Sequence, residues 1–110
     1  MSIAAHSLCP RYHQAVELVG RRWTGAIVRT LMPGPRRFNE LLAAIPGISD
    51  RLLTERLREL EAASVVRREV KPDPPIRVVY ELTERGRDLG PALDEIARWA
   101  ERWIAAPQTP

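Results

Sequence analysis

Residues 45–63 read IPGISDRLLTERLRELEAA, and the fold turns on them. Ile45-Pro46-Gly47-Ile48 is a tight turn. Ser49 after it has the side chain of a helix N-cap, and Asp50 suits the positive end of the helix dipole. A helix is expected from Asp50 to about Ala63. At 100° per residue Leu53, Leu57 and Leu60 share one face, with Leu52 at its border. The opposite face carries Arg51, Thr54, Glu55, Arg58 and Ala62, while Arg56 turns towards the core.

Ahead of the turn, Phe38, Leu41, Leu42 and Ile45 predict a short helix from about Arg37 to Ala44. Pro33-Gly34-Pro35 closes an earlier helix from Arg22 to Met32, whose apolar face is Trp23, Ile27, Val28 and Leu31. A first helix starts at Pro10, shows Ala15, Val16, Leu18 and Val19 on one side, and stops at Gly20. Residues 1–8 are expected to be a loose tail.

Beyond the quoted stretch the period changes. Val65–Val70 and Val78–Leu82 read as strands. The prolines at 72, 74 and 75 stiffen the loop between them into the extended tip of a hairpin. Thr83 then caps a last helix to about Ile104, with an interruption expected at Gly90-Pro91. Leu82, Leu89, Leu93, Ile96, Ala100 and Trp103 recur at heptad-like spacing, and Trp99 widens the seam. Residues 105–110 are expected to be a frayed tail.

The whole is a mainly α, α+β domain over residues 9–104. Two helices across a short turn, then a hairpin, make a winged helix-turn-helix. The second helix of such a motif enters the DNA major groove. Its outward Ser49, Asp50, Arg51, Thr54 and Arg58 are the candidate base readers. Glu55 can accept from cytosine or pair with Arg51 or Arg58. Arg36, Arg37, Lys71 and Arg77 are candidate contacts to the DNA backbone.

Charge and composition narrow the function. The 110 residues, 45% hydrophobic, support one domain and no interdomain cleft. Net charge is +3, yet residues 21–58 hold eight arginines against three acids, whereas residues 81–110 are acidic. A basic middle suits a polyanion. The single cysteine excludes an internal disulfide and multi-cysteine metal sites. His6, His13 and Cys9 are too loosely spaced to suggest a metal, and no cofactor is expected. No apolar run reaches the ~18 residues of a membrane span, and no signal peptide is visible, so a cytoplasmic location is expected. No nucleophile–base–acid constellation or phosphate loop suggests an enzyme. A winged-helix module binding an acidic protein, without an operator of its own, is the alternative to DNA binding.

Cys9-Pro10, Gly20-Arg21-Arg22-Trp23 and Gly34-Pro35-Arg36-Arg37-Phe38-Asn39-Glu40-Leu41 resemble the HxlR-type, MarR-like bacterial transcriptional regulators. So do Ile45–Ser49, Leu53-Thr54, Leu57–Glu61 and Val79–Gly86. The resemblance covers residues 9–104. It implies a homodimer on a palindromic DNA operator, with repression the expected sense of control, paired through its first and last helices. That agrees with the seam of Leu89, Leu93, Ile96, Trp99 and Trp103. It also implies that Cys9 can sense electrophiles or oxidants, since several relatives use a cysteine near the N-terminus. A cysteine there can equally be a small packing residue.

Overall fold

The computed structural model describes residues 9–106. The expected tail 1–8, with His6, and the last four residues of the expected tail 105–110 lie outside them. Pro10 opens α1 (Pro10–Val19). Gly20 ends it, as expected, with a right-handed backbone (φ −80°).

The second helix, α2, is shorter than its pattern, Thr24–Leu31. Trp23, expected on its apolar face, precedes it with φ 79°. That backbone is costly for a bulky residue and needs packing to hold it. The Arg22 guanidinium lies 4.8 Å from the indole centroid. The ring also presses on Gly47, where a Cβ would stand 3.3 Å from it. Gly47 has φ 91°, a conformation that favours glycine, and a Cβ there would also press the ring.

After Pro33-Gly34-Pro35 the chain forms a two-residue strand, β1 (Arg36–Arg37), which the sequence does not announce. Then come α3 (Phe38–Ala44), α4 (Asp50–Ala62), β2 (Val66–Lys71), β3 (Arg77–Leu82) and α5 (Glu84–Trp103). The sheet therefore has three antiparallel strands in the order β1-β3-β2, not the bare hairpin expected. Two residues are too short for a period; their ladder bonds to Val79 and Tyr80 make them a strand. The hairpin runs in register from Val66↔Leu82 to Lys71↔Arg77, leaving 72–76 as the tip.

Helix α5 runs unbroken through Pro91, contrary to the expected interruption. Pro91 is exposed and deprives only the Arg87 carbonyl of its partner. Gly90 beside it lies so flat against Met32 that a Cβ would come within 2.2 Å of Cε. No helix among the described residues is long and apolar enough to cross a membrane.

The core is Ile27, Val28 and Leu31 of α2, Leu41 and Ile45 around α3, Ile48, the α4 leucines 53, 57 and 60, Val65, Val66, Leu82 and Leu93. At about 1.5–3 kcal/mol per large buried side chain, this set holds the helices on the sheet. The end of α4 meets the start of α5 at a second lock. The Thr83 hydroxyl donates to the Ser64 carbonyl (2.6 Å) and accepts from the Gly86 amide (3.1 Å). The Thr83 amide donates to the Val65 carbonyl (3.0 Å). Arg85 Nη1 donates to the Ala63 carbonyl (3.0 Å). Gly86 completes the contact, since a Cβ there would stand 2.2 Å from the Val65 carbonyl oxygen.

Gly86→Ala is therefore expected to cost about 1–3 kcal/mol through overpacking against backbone. Gly25→Ala, whose Cβ would meet only Leu93 Cδ2 at 3.9 Å, should be neutral or stabilising by up to about 1 kcal/mol. Urea unfolding of both variants checks this; equal midpoints would contradict the close approach.

Candidate nucleic-acid interface

The sequence of α4 divides its side chains as its leucines require. With Leu53, Leu57 and Leu60 buried, the outer face carries Arg51, Thr54, Glu55 and Arg58, with Ser49 and Asp50 at its exposed start. Ser49 Oγ accepts from the Leu52 amide (3.1 Å), so its hydroxyl is occupied as the N-cap. Thr54 Oγ1 donates to the Asp50 carbonyl (2.8 Å) and keeps its methyl and a lone pair outward. Glu55 pairs with Arg51 at 3.4 Å, one of the two partners expected for it. The Arg51 side chain remains mostly exposed, so that pair is weak. Arg58 is exposed and closes no ion pair among the described residues.

Arg56 is structural, as its position on the helix predicts. It is buried, donates from Nε to the Arg22 carbonyl (2.9 Å), and bonds Glu59 from Nη1 (3.2 Å). Glu59 also accepts from Arg21 Nη2 (3.0 Å). Three charged side chains thus tie the α1–α2 connection to the back of α4 and fix its aim.

The candidate backbone contacts fall into two places. Arg36 and Arg37 form β1, where Arg36 is half-buried and Arg37 exposed. The Arg37 amide donates to Glu40 Oε1 (2.7 Å), which steadies the start of α3. Lys71 and Arg77 face each other at the base of the hairpin tip. Lys71 is partly neutralised by Glu69 (3.1 Å), whereas Arg77 is exposed.

The expected dimer seam is split. Leu93 is 7% exposed and belongs to the chain's own core, so its assignment to a dimer surface is corrected. It is consumed because α2 packs on that part of α5. Leu89 is half-buried and lines, with Leu18, Val19 and Arg11, an open groove of about 480 Å³ between α1 and α5. The outer half of the seam is bare: Ile96 is 55%, Trp99 58% and Trp103 65% exposed. Ile104, and Tyr12 and Val16 on α1, are further exposed apolar side chains. The sequence already places Val16 on the apolar side of α1, and the same 100° spacing would have found Tyr12 beside it.

Cys9 is half-exposed at the N-cap of α1. The amides of Tyr12 and then Arg11 point towards the sulfur and hold its pKa below the ordinary thiol value, outweighing a small opposing effect of desolvation. These are electrostatic contacts at the helix end; the sulfur closes no cap hydrogen bond of regular geometry.

Three helices, a fourth helix with arginines on its outer face and a β-wing define a winged helix-turn-helix, the architecture of DNA-binding regulators. Residues 18–108 match the family model of the HxlR-like helix-turn-helix, and the chain belongs to that family. It is 47% identical over 97 residues to YvaP of Bacillus subtilis, described as an uncharacterised HTH-type transcriptional regulator, covering 88% of this chain and 90% of YvaP. It is 43% identical over 98 residues to the HTH-type transcriptional regulator YodB of the same organism, covering 89% of this chain and 88% of YodB. The reduced form of YodB superimposes with a TM-score of 0.83, covering 92% of this chain and 99% of that one. YodB is also solved diamide-treated and quinone-bound. The redox regulator HypR in its reduced form, 38% identical, gives 0.78 over 84% of this chain and 91% of its own. By family, then, the chain is a DNA-binding transcriptional regulator.

The thiol's environment has a measurable consequence. A pKa below the ordinary value leaves more thiolate at each pH. The iodoacetamide reaction rate of Cys9, followed against pH, should rise through a midpoint below that of the same cysteine in the urea-unfolded chain. A coincident midpoint would show that the helix end does not act on the sulfur.

Proposed function

We propose that this protein is a homodimeric repressor that reads a palindromic double-stranded DNA operator and releases it when Cys9 is modified by an electrophile or oxidant. The outer face of α4 carries the reading. It sets the exposed Arg51 and Arg58 beside the half-buried Thr54, with Ser49 and Asp50 at its start. Arginine can bond both acceptors of a guanine edge, and threonine can contact an edge or a thymine methyl. Arg36, Arg37, Lys71 and Arg77 add sequence-independent grip on phosphates.

Ile96, Trp99 and Trp103 support pairing through α5, with α1 beside it. Large aromatic surfaces of this kind are costly to leave in water. Two chains related by a twofold axis would present two α4 helices to successive major grooves, which is why a palindrome is expected.

The sensing reading rests on the activated position of Cys9 and on the relatives. YodB is solved with quinone bound and after diamide, and HypR is solved reduced and oxidised. A Cys9 thiolate can add to a quinone. Under diamide, with one cysteine per chain, it can form a disulfide only with a partner's Cys9 or a small thiol. An adduct at the first turn of α1 would disturb α1, which lines an open groove opposite Leu89 of α5, and so the spacing of the two reading helices.

The test is a titration of the gene's own upstream DNA with wild type and Cys9→Ser, with and without diamide or quinone. Wild type should bind with two chains per site and lose roughly 5- to 150-fold in affinity on treatment, the range of ordinary allosteric coupling. Cys9→Ser should stay bound. Equal responses of the two proteins would remove Cys9 from the switch. Untreated binding no tighter than to random DNA would remove the operator from that region.

A further inference from the structure

The sheet register brings together three side chains that sequence order separates. Arg36 of β1 lies opposite Tyr80 of β3, and Tyr80 lies opposite Arg68 of β2. Residues directly opposite in an antiparallel sheet share a face, so the order across it is Arg36–Tyr80–Arg68. The same face carries Val66 and Leu82, both buried, on the core side of this row. On the other side come Val78 and the exposed Val70. The row sits where the sheet leaves the cover of the helices.

The geometry points to a phosphate site formed by Arg36, Tyr80 and Arg68, gripping one phosphate of the DNA backbone beside the groove entered by α4. This inference rests on the DNA-binding reading. Neither arginine has a carboxylate within 4 Å among the described residues, and no acid shares their row. The opposite face differs: Arg67 is bound to Glu81 (2.7 Å) and Lys71 to Glu69 (3.1 Å). Arg36 Nε is buried with no hydrogen-bond partner; sealed from solvent, it cannot itself meet a phosphate, and the contact falls to the rest of the half-buried guanidinium. The Tyr80 hydroxyl engages no partner among the described residues and is a second donor between the two charges. Two strand spacings of about 4.8 Å separate the arginine backbones, so their long side chains can converge over the ring between them. Two guanidiniums and a phenol, with no base of their own, fit a phosphate oxygen cluster.

Phosphate contacts do not depend on sequence, so a random 30-base-pair duplex serves as the probe, with affinity measured by fluorescence anisotropy against NaCl concentration. Each neutralised phosphate contributes a slope of about −0.9 in log K against log salt. The double variant Arg36→Ala/Arg68→Ala should flatten the slope by about one contact, and each single variant by less, because the partner arginine remains. Tyr80→Phe should weaken binding about tenfold with its melting temperature unchanged. A double-variant change of about two contacts would assign the arginines to separate phosphates and overturn the shared site. An unchanged slope in a folded double variant would overturn the site outright, while wild-type binding with a normal slope would leave the DNA-binding reading standing. Wild type with no salt-dependent affinity would overturn that reading, and the site with it.

Discussion

The structure depends on the lock between the end of α4 and the start of α5. Carbonyls of Ala63, Ser64 and Val65, which leave α4 and enter β2, are taken up by Arg85 and Thr83 at the start of α5. Gly86 lies against the last of them at a distance no side chain permits. These bonds, with the close approach of Gly86 to the Val65 carbonyl, fix the angle between the two helices. One helix carries the candidate DNA readers and the other carries the exposed tryptophans. This junction is one connection between α5 and α4; another runs through α2, which packs on α5 and is tied to α4 by Arg22, Arg56 and Glu59.

Arginine supplies nearly all the positive charge, but the structure spends it in different ways. Arg21 and Arg56 share Glu59 and brace α4 from behind. Arg67 is held by Glu81, whose carboxyl pKa it pulls below the usual range through a hydrogen bond that outweighs desolvation. Arg58 on α4 and Arg68 on the wing are left unpaired among the described residues. Positive net charge alone would attract a polyanion. The division into braced and open arginines is what turns attraction into a defined face.

Much of this was legible in the sequence because strong local signals agree. A turn, an N-cap and a leucine period placed α4 within one residue of its observed end, and the same period separated Arg56 from Arg58. The failures have equally physical causes. A two-residue strand has no period, so β1 exists only through its partner β3. Trp23 stands at helical spacing from Ile27, yet packing on Gly47 and Arg22 holds it in a left-handed backbone ahead of the helix. An apolar seam along α5 shows that one side avoids water, but not which half is already covered. Helix α2 takes Leu93, and Trp99 and Trp103 remain bare.

The claim at the centre of the account is that α4 reads bases. Its most direct test is a binding titration of wild type and Arg58→Ala against an operator and a set of its single-base-pair variants. The account predicts that wild type discriminates at one position in each half-site by about 1–3 kcal/mol, and that Arg58→Ala loses discrimination at that position alone. A uniform loss of affinity across every sequence, with the discrimination profile intact, would contradict it.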